Sequence, residues 1–329
     1  MVRDGNCNKD QDGSKALKTA LVTGAAGFLG SHLSERLVQE GWNVVGIDTL
    51  ITGNRDNVIV LEHEPRFTLL QEDAATLRFT GAVDVVYHLG SLASPKAYMT
   101  YPVETLKVGS FGTFNMIDIA RANQARFILA SSSEVYGDPL VHPQTESYWG
   151  NVNPVGPRSV YDESKRFSEA VTACYTADGS LDSVILRIFN TYGPRMNPND
   201  GRIVPTFIRQ ALAGDDITVF GDGNQTRSLC YVSDLVEALY RCGQQLEIGA
   251  RVMNLGNPEE HSVNELADII LRVTNSQSPK RYLAPMADEP RRRRPDITIA
   301  MKELRWSPQT ALRDGLRTTS NFFRKSLEL

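Results

Sequence analysis

Short apolar runs alternate with segments of helical periodicity over the first 190 residues of the chain. The apolar run Thr19–Thr23 leads into a glycine-rich turn. The next segment carries Leu29, Leu33 and Leu37 four residues apart, which predicts a helix packed on a sheet, and Gly41 stands where that helix should end. Further buried strands are predicted at Asn43–Ile47, Asp84–His88, Arg126–Ala130 and Ser183–Ile188. This alternation predicts a parallel sheet that helices cover on both faces.

The pattern changes after Asn190, where a polar, proline-containing loop begins a region of irregularly alternating helices and strands. We therefore expect a disordered tail at residues 1–18 and a sheet domain at residues 19–190, to which residues 231–258 also belong. A smaller lobe, mainly residues 191–329, is expected to close over the carboxyl edge of the sheet.

Composition excludes several classes of protein. A net charge of -4 argues against a nucleic-acid partner or a basic membrane anchor, and no apolar run approaches the ~18 residues of a membrane span. The four cysteines have no CxxC spacing and the five histidines are dispersed. Neither a metal site nor a disulfide framework is predicted, which fits a reducing cytoplasm.

The glycine turn predicts a dinucleotide site. Gly24, Gly27 and Gly30 follow a strand and open a helix, so backbone N–H groups can approach a pyrophosphate at the helix N-terminus. Asp48 ends the second strand and can accept hydrogen bonds from the adenosine ribose, which favours NAD over NADP. Asp73 is a candidate for contact with the adenine amine, with a solvated loop aspartate as the alternative.

Tyr161 and Lys165 predict the chemistry. At a spacing of four they share one helix face, and an ammonium near a phenol favours the phenolate, so Tyr161 can act as a base near neutrality. Bound NAD would supply the hydride acceptor. The pair is common on ordinary helix surfaces. Together with the glycine turn it indicates hydride transfer from an alcohol.

The glycine turn, Tyr161 and Lys165 resemble the extended short-chain dehydrogenase/reductase superfamily. Within it, longer blocks resemble UDP-glucuronate decarboxylases over nearly everything from Thr19 onward. The blocks include Tyr87–Leu89, Ala93–Pro95, Tyr98–Met99, Thr105–Lys107, Ser133–Pro139, Arg187–Thr191, Gly193–Met196, Asn199–Arg202, Tyr231–Leu235 and Asn254–His261.

The resemblance implies a Rossmann-type doubly wound parallel sheet with a smaller α/β C-terminal lobe that binds a nucleotide sugar. It implies conversion of UDP-glucuronate to UDP-xylose through a 4-keto intermediate, with NAD recycled internally. The implied catalytic residues are Tyr161, Lys165, Ser132, Ser133, Glu134 and Arg293. The implied cofactor contacts add Phe28, Leu29, Leu89, Ser91 and Lys107, and the implied substrate contacts are Lys107, Asn190, Arg202, Gln225, Arg227 and Arg293.

Ser133 and Glu134 distinguish this chain from its relatives. Dehydratases of the superfamily carry Asp-Glu here, whereas 4-epimerases usually lack the acid. Arg293 is selected from four consecutive arginines because the family arginine precedes Pro295 by two residues. A UDP-glucuronate 4-epimerase remains the alternative, and a non-catalytic NAD-sensing regulator is the less favoured hypothesis. The family usually has Asn where this chain has Gly109.

The superfamily resemblance also implies a homodimer. Its seam would join the helix that bears Tyr161 to the helix near 105–122. Phe111, Phe114, Met116 and Ile117 are candidates for apolar contacts there, with core packing as the alternative for each.

Overall fold

The structure, a computed structural model, describes residues 17–245, 247–249, 251–285 and 292–327. Most of the tail predicted at residues 1–18 therefore lies outside the described residues, as does Cys7.

A seven-stranded sheet forms the centre of the molecule. The strands of the described chain are β1 (Thr19–Thr23), β2 (Asn43–Ile47), β3 (Phe67–Leu70), β4 (Val85–His88), β5 (Arg126–Ser132), β6 (Ser183–Ile188), β7 (Thr191–Tyr192), β8 (Ile217–Phe220), β9 (Thr226–Ser228), β10 (Cys230–Tyr231), β11 (Val252–Leu255), β12 (Glu260–Ser262), β13 (Lys280–Leu283) and β14 (Arg292–Arg293). The central sheet has the order β11-β6-β5-β4-β1-β2-β3, and all of its strand pairs are parallel. The predicted Rossmann-type sheet is thus confirmed.

Helices cover both faces of this sheet. The helices of the described residues are α1 (Phe28–Gln39), α2 (Pro95–Thr100), α3 (Pro102–Lys107), α4 (Thr113–Ala122), α5 (Ser159–Ala177), α6 (Ile203–Ala213), α7 (Val232–Gln244), α8 (Val263–Thr274), α9 (Thr298–Leu304) and α10 (Leu312–Ser326). Helices α1, α7 and α9 pack on one face, and α4 and α5 pack on the other. A separate apolar cluster joins α6, α8 and α10 to β8. No helix of the described residues combines the length and the apolar character needed to cross a bilayer.

The five strands predicted from apolar runs all lie in the central sheet. The runs at β3 and β11 were not predicted, because β3 is a short edge strand and β11 carries a polar residue, Asn254, in its middle. Strand β11 is the other edge of the sheet, but Asn254 in it is fully buried.

A π-helical segment, Val108–Gly112, joins α3 to α4 and packs on α5. Phe111 and Phe114 lie on the exposed side of this region, with 63% and 38% of their surface accessible. Met116 and Ile117 are fully buried against the sheet. For these two residues the alternative of core packing holds, because the helical periodicity turns them towards the sheet.

His88 ties three segments together beneath the carboxyl edge of the sheet. Its Nδ1 lies 2.9 Å from Thr23 Oγ1, and its Nε2 lies 3.3 Å from Thr113 Oγ1. Thr23 Oγ1 also accepts a hydrogen bond from the Gly90 N–H. Burial lowers the pKa of His88 to about 3, so a neutral imidazole links β1, β4 and α4.

A small three-stranded sheet, in the order β12-β9-β14, lies beyond the central sheet. Strand β14 runs parallel to β9 with Arg293 opposite Arg227. This sheet brings two arginines that are 66 positions apart in sequence into adjacent strands.

Candidate active site

A cleft of about 1280 Å³ opens at the carboxyl ends of the central strands. Among the described residues, every predicted site residue except Gln225 lines it. The glycine turn lies on one side of the cleft, Tyr161 and Glu134 lie on its wall, and Arg202, Arg227 and Arg293 enter from the C-terminal half of the chain.

The glycine turn is shaped for close approach of another molecule. Gly24 has φ +71°, and a Cβ there would lie 3.0 Å from Gly90 Cα. A Cβ at Gly30 would overlap the Gly24 carbonyl oxygen. Side chains are therefore excluded at Gly24 and Gly30, and the backbone N–H groups of the turn and the helix N-terminus suit a pyrophosphate.

Asp48 follows β2 at the edge of this turn. Its carboxylate accepts hydrogen bonds from the Ala26 and Leu50 N–H groups, each at 2.9 Å. Burial raises the pKa of Asp48, and these backbone donors oppose the rise. Each carboxylate oxygen keeps a second lone pair, so the residue present fits a ribose hydroxyl pair.

The remaining cofactor candidates surround the same part of the cleft. Phe28 and Leu29 begin α1, and Lys107 ends α3. Asp73 Oδ1 accepts a hydrogen bond from the Ala75 N–H at 2.8 Å. Leu89 and Ser91 follow β4 on the cleft wall. Together with the glycine turn and Asp48, these residues fit NAD. The described residues bring together no cluster of three metal-ligating side chains.

Tyr161 and Lys165 project from the first turns of α5. The Tyr161 ring stacks on Tyr98, with ring centroids 5.5 Å apart. The Lys165 ammonium donates to the Ala130 carbonyl oxygen at 2.7 Å and lies 5.9 Å from the centroid of the Tyr161 ring. This strand carbonyl fixes Lys165 beneath the tyrosine.

The expected lowering of the Tyr161 pKa by Lys165 is not what the structure gives. Burial raises the pKa of Tyr161, and a hydrogen bond with Ser132 is the main opposing influence. Burial also lowers the pKa of Lys165 to about 8. Desolvation dominates here because both groups are almost completely withdrawn from solvent.

Glu134 is held between two arginines. Both Arg293 Nη atoms donate to its carboxylate, Nη2 at 2.5 Å from Oε2, and Arg158 Nη2 donates to Oε2 at 2.8 Å. Burial acts to raise the pKa of Glu134, but Arg293 and Arg158 outweigh it and lower the pKa to about 2. Glu134 is therefore an anion, and the three side chains carry one excess positive charge beside Tyr161.

Arg158 is a functional candidate that the sequence reasoning missed. It lies three residues before Tyr161, so the helical spacing that linked Tyr161 to Lys165 could have found it. Tyr98 was quoted only as part of a matching block, yet its ring covers Tyr161.

Asp162 adds a further titratable group at this point. It is 6% exposed, and its Oδ1 has no hydrogen-bond partner among the described residues. Burial, followed by the charge of Glu134, raises the pKa of Asp162 to about 7, and Arg158 and Arg293 oppose the rise.

The C-terminal half supplies the other arginines. Arg202 Nε donates to Asp200 Oδ2 at 2.7 Å, and its guanidinium lies 6.0 Å from the Phe28 ring centroid. Arg227 is 4% exposed on β9, and Asn190 follows β6 at the cleft. Gln225 is placed differently from the expectation: its Nε2 donates to the Phe220 carbonyl at 2.7 Å, which turns the amide towards the end of β8.

Comparison with known proteins agrees with this geometry. The model of the NAD dependent epimerase/dehydratase family matches residues 20–256. The solved UDP-glucuronic acid 4-epimerase of Bacillus cereus, in complex with UDP-glucuronic acid and NAD, superposes with a TM-score of 0.82 at 29% identity, over 94% of this chain and 99% of that one. The UDP-glucose 4-epimerase of Thermotoga maritima, with UDP-glucose, gives a TM-score of 0.84 at 27% identity, over 94% and 99% of the two chains.

Curated relatives are more similar in sequence. UDP-glucuronic acid decarboxylase 1 of Xenopus tropicalis is 46% identical over 95% of this chain and 74% of its own length. UDP-glucuronic acid decarboxylase 6 of Arabidopsis thaliana is 47% identical over 93% of this chain and 89% of its own length. The chain belongs to the NAD dependent epimerase/dehydratase family and, within it, to the UDP-glucuronic acid decarboxylases.

Proposed function

We propose that this protein decarboxylates UDP-glucuronate to UDP-xylose through a 4-keto intermediate, with no net consumption of NAD. The observation that carries the proposal is the buried cluster of Glu134, Arg158 and Arg293. Its single excess positive charge suits one carboxylate, and it lies on the wall of the cleft that holds Tyr161.

Tyr161 and Ser132 act on the sugar C4 oxygen. The Tyr161 phenolate takes the C4 hydroxyl proton, and Ser132, its hydrogen-bond partner, holds the same oxygen. Bound NAD+ would supply the acceptor for the C4 hydride and would restore that hydride at the end of turnover, and its positive charge would favour the Tyr161 phenolate. Lys165, anchored on Ala130, contributes a second positive charge beneath the ring.

The guanidinium pair acts on the other side of the sugar. A ketone at C4 places the C6 carboxylate β to a carbonyl, so the C5–C6 bond can break and CO2 can leave. The electron pair passes into an enolate whose C4 oxygen is stabilised by Tyr161 and Ser132, and one proton taken up from solvent water adds at C5 to complete the pentose. Arg293 and Arg158 hold the carboxylate before the bond breaks, while ionised Glu134 keeps the two guanidinium groups together.

The remaining site residues are proposed to form two groups along the cleft, one for the cofactor and one for the UDP group. Gly24, Asp48 and Lys107 contact the cofactor, and Asn190, Arg202 and Arg227 hold the UDP group. On this division residues 19–190 and 231–258 form the cofactor-binding domain, and residues 191–329 mainly form the substrate-binding lobe. Gln225 would support this lobe through Phe220.

We further propose a homodimer in a reducing, cytoplasmic setting. Phe111, Phe114 and Phe167 expose 63%, 38% and 43% of their surface, and the Phe114 and Phe167 rings meet edge to face at 6.0 Å. A second copy of α4 and α5 would cover these rings. Cys174, Cys230 and Cys242 are free thiols, and free thiols are typical of proteins in a reducing compartment such as the cytoplasm.

Product analysis tests the proposed reaction. Purified protein is incubated with UDP-glucuronate carrying ¹³C at C6, without added reductant, and the products are identified by NMR and mass. The expected result is labelled CO2 and UDP-xylose. UDP-galacturonate that keeps its label would establish the 4-epimerase instead, and an unchanged substrate would favour the non-catalytic regulator.

A further inference from the structure

Arg293 lies on a very short strand at the rim of the cleft. Strand β14 has two residues and pairs with β9. The chain after it runs alongside Gln144, which is 1% exposed. Gln144 Oε1 accepts from the Arg294 N–H at 2.9 Å, the Gln144 N–H donates to the Arg294 carbonyl at 2.9 Å, and its carbonyl accepts from the Asp296 N–H at 2.8 Å.

Asn254 of β11 bonds to this segment from the central sheet. Its Nδ2 donates to the Gln144 carbonyl at 3.0 Å and to the Asp296 carbonyl at 3.1 Å. Its Oδ1 accepts from the Tyr136 hydroxyl at 2.7 Å. Tyr136 belongs to the 3-10 turn Ser133–Tyr136, which also carries Glu134. One fully buried amide therefore bonds both to the turn that bears Glu134 and to the segment that bears Arg293.

Neither Gln144 nor Asn254 is among the residues that line the cleft, so any effect on the reaction must pass through other side chains. We propose that Gln144 and Asn254 are positioning residues for decarboxylation: their hydrogen bonds set the place of Arg293 relative to Glu134. The inference rests on the proposed function. It predicts that loss of these bonds impairs handling of the carboxylate more than chemistry at C4, where Tyr161 and Lys165 are anchored on α5 and Ala130.

The test uses two substitutions and a matched control. Gln144→Met removes the acceptor for Arg294 at nearly constant volume, and Asn254→Asp replaces the donor that faces two carbonyl oxygens. Gln210→Met is the control, because Gln210 is also buried and also bonds a backbone N–H, that of Thr218 at 3.1 Å, away from Arg293.

Two measurements separate positioning from a general loss of structure. Single-turnover reactions compare release of CO2 with C4 oxidation, which is followed by transient absorbance of NADH. Because displacement of a reacting group by about 1 Å can cost on the order of 100-fold, we expect CO2 release to fall about 10-fold to 100-fold in Gln144→Met and Asn254→Asp. C4 oxidation should change less than about 3-fold. Calorimetry should show weaker binding of UDP-glucuronate with unchanged binding of UDP.

Specific outcomes would overturn the inference. One is an equal fall of CO2 release and C4 oxidation in the Gln144 and Asn254 variants, which is the result expected of the Gln210→Met control if that substitution loosens the fold. Another is CO2 release at the wild-type rate in Gln144→Met. Failure of the proposed function is distinguishable, because the wild-type protein would then release no CO2. In that case the ratio of UDP-glucuronate affinity to UDP affinity, compared between wild type and the Gln144 and Asn254 variants, would still show whether Arg293 is correctly placed for the carboxylate.

Discussion

Two acidic side chains around the same arginines have pKa values displaced in opposite directions. Glu134 bonds directly to Arg158 and Arg293 and its pKa is lowered to about 2. Asp162 has no such bonds, and burial raises its pKa to about 7. Direct ion pairs with the arginines therefore keep Glu134 ionised, whereas burial retains the proton on Asp162 against the charges of the same arginines.

Asp162→Asn should change how stability depends on pH. An unfolded aspartate has a pKa of about 3.9, so the native protein holds the extra proton between about pH 4 and pH 7. The free energy of unfolding of the wild-type protein must therefore fall as pH rises through that interval. The variant has no titrating carboxyl at this position, so its free energy of unfolding does not fall for this reason. We expect the variant to gain about 2 kcal/mol relative to wild type between pH 5 and pH 8, measured by urea unfolding. Parallel pH curves for wild type and variant, matching those of the exposed control Glu64→Gln, would contradict the assignment.

Tyr161→Phe should abolish most turnover without disturbing the fold. The substitution removes the proposed base but keeps the ring that stacks on Tyr98. CO2 release should fall by at least about 100-fold, while calorimetric binding of UDP and the thermal midpoint remain close to those of wild type. Turnover near the wild-type level would eliminate the mechanism.

The site was predictable where its members are close in sequence. Gly24 and the Tyr161–Lys165 pair follow from a turn and a helical spacing. Glu134 and Arg293 are 159 positions apart, so only the resemblance could suggest their association. The roles of Gln144 and Asn254 depend on segments that meet only in the folded chain. The pKa of Tyr161 was also beyond sequence reasoning, because its direction is set by burial.

At the scale of elements, the π-helical segment Val108–Gly112 is fitted closely to α5. Ser168 Oγ donates to the Gly109 carbonyl at 2.7 Å, and a Cβ at Gly109 would lie 2.8 Å from Ser164 Cβ. Such π-helical turns are frequent at functional sites, and this one follows Lys107 directly. The contact depends on three small residues, Gly109, Ser164 and Ser168, which a hydrophobic pattern does not reveal.

Gly109→Ala should destabilise the protein by about 1–3 kcal/mol, because the added methyl forces α5 away from the π-helical segment. Gly112→Ala is the matched control, since its Cβ would lie 3.3 Å from a Val108 methyl that can yield. Ser164→Gly should recover part of the loss in Gly109→Ala. Chemical denaturation of Gly109→Ala, Gly112→Ala, Ser164→Gly and the double variant Gly109→Ala/Ser164→Gly measures this, and equal stabilities for the two single alanine variants would refute the proposed contact.

The hydrophobic pattern of the sequence predicted the long strands but not the short ones. Long apolar runs identified the central strands because those strands are buried on both faces. Strand β14 has two residues, and β9 has three. Strands this short have no detectable period, so the small sheet that carries Arg227 and Arg293 had to come from the structure.

At the scale of the whole molecule, the exposed rings on α4, α5 and the π-helical segment should decide assembly. Phe111→Glu places a charge in the proposed seam and should weaken the dimer by about 10-fold or more, seen by light scattering over a dilution series. Val60→Glu is the control, because Val60 is 72% exposed and its neighbours Val58 and Leu61 pack on the opposite face of the sheet. A wild-type monomer at micromolar concentration would reject the homodimer.

The pairing of β14 with β9 has a consequence for substrate choice. Arg293 and Arg227 are opposite each other on adjacent strands, which lie about 4.8 Å apart. Backbone hydrogen bonds thus set the separation between the Cα atoms that bear the proposed carboxylate-binding and diphosphate-binding arginines. The protein should accordingly discriminate among acidic sugar nucleotides by the distance between the diphosphate and the sugar carboxylate. It should favour substrates in which one hexose ring separates these two groups.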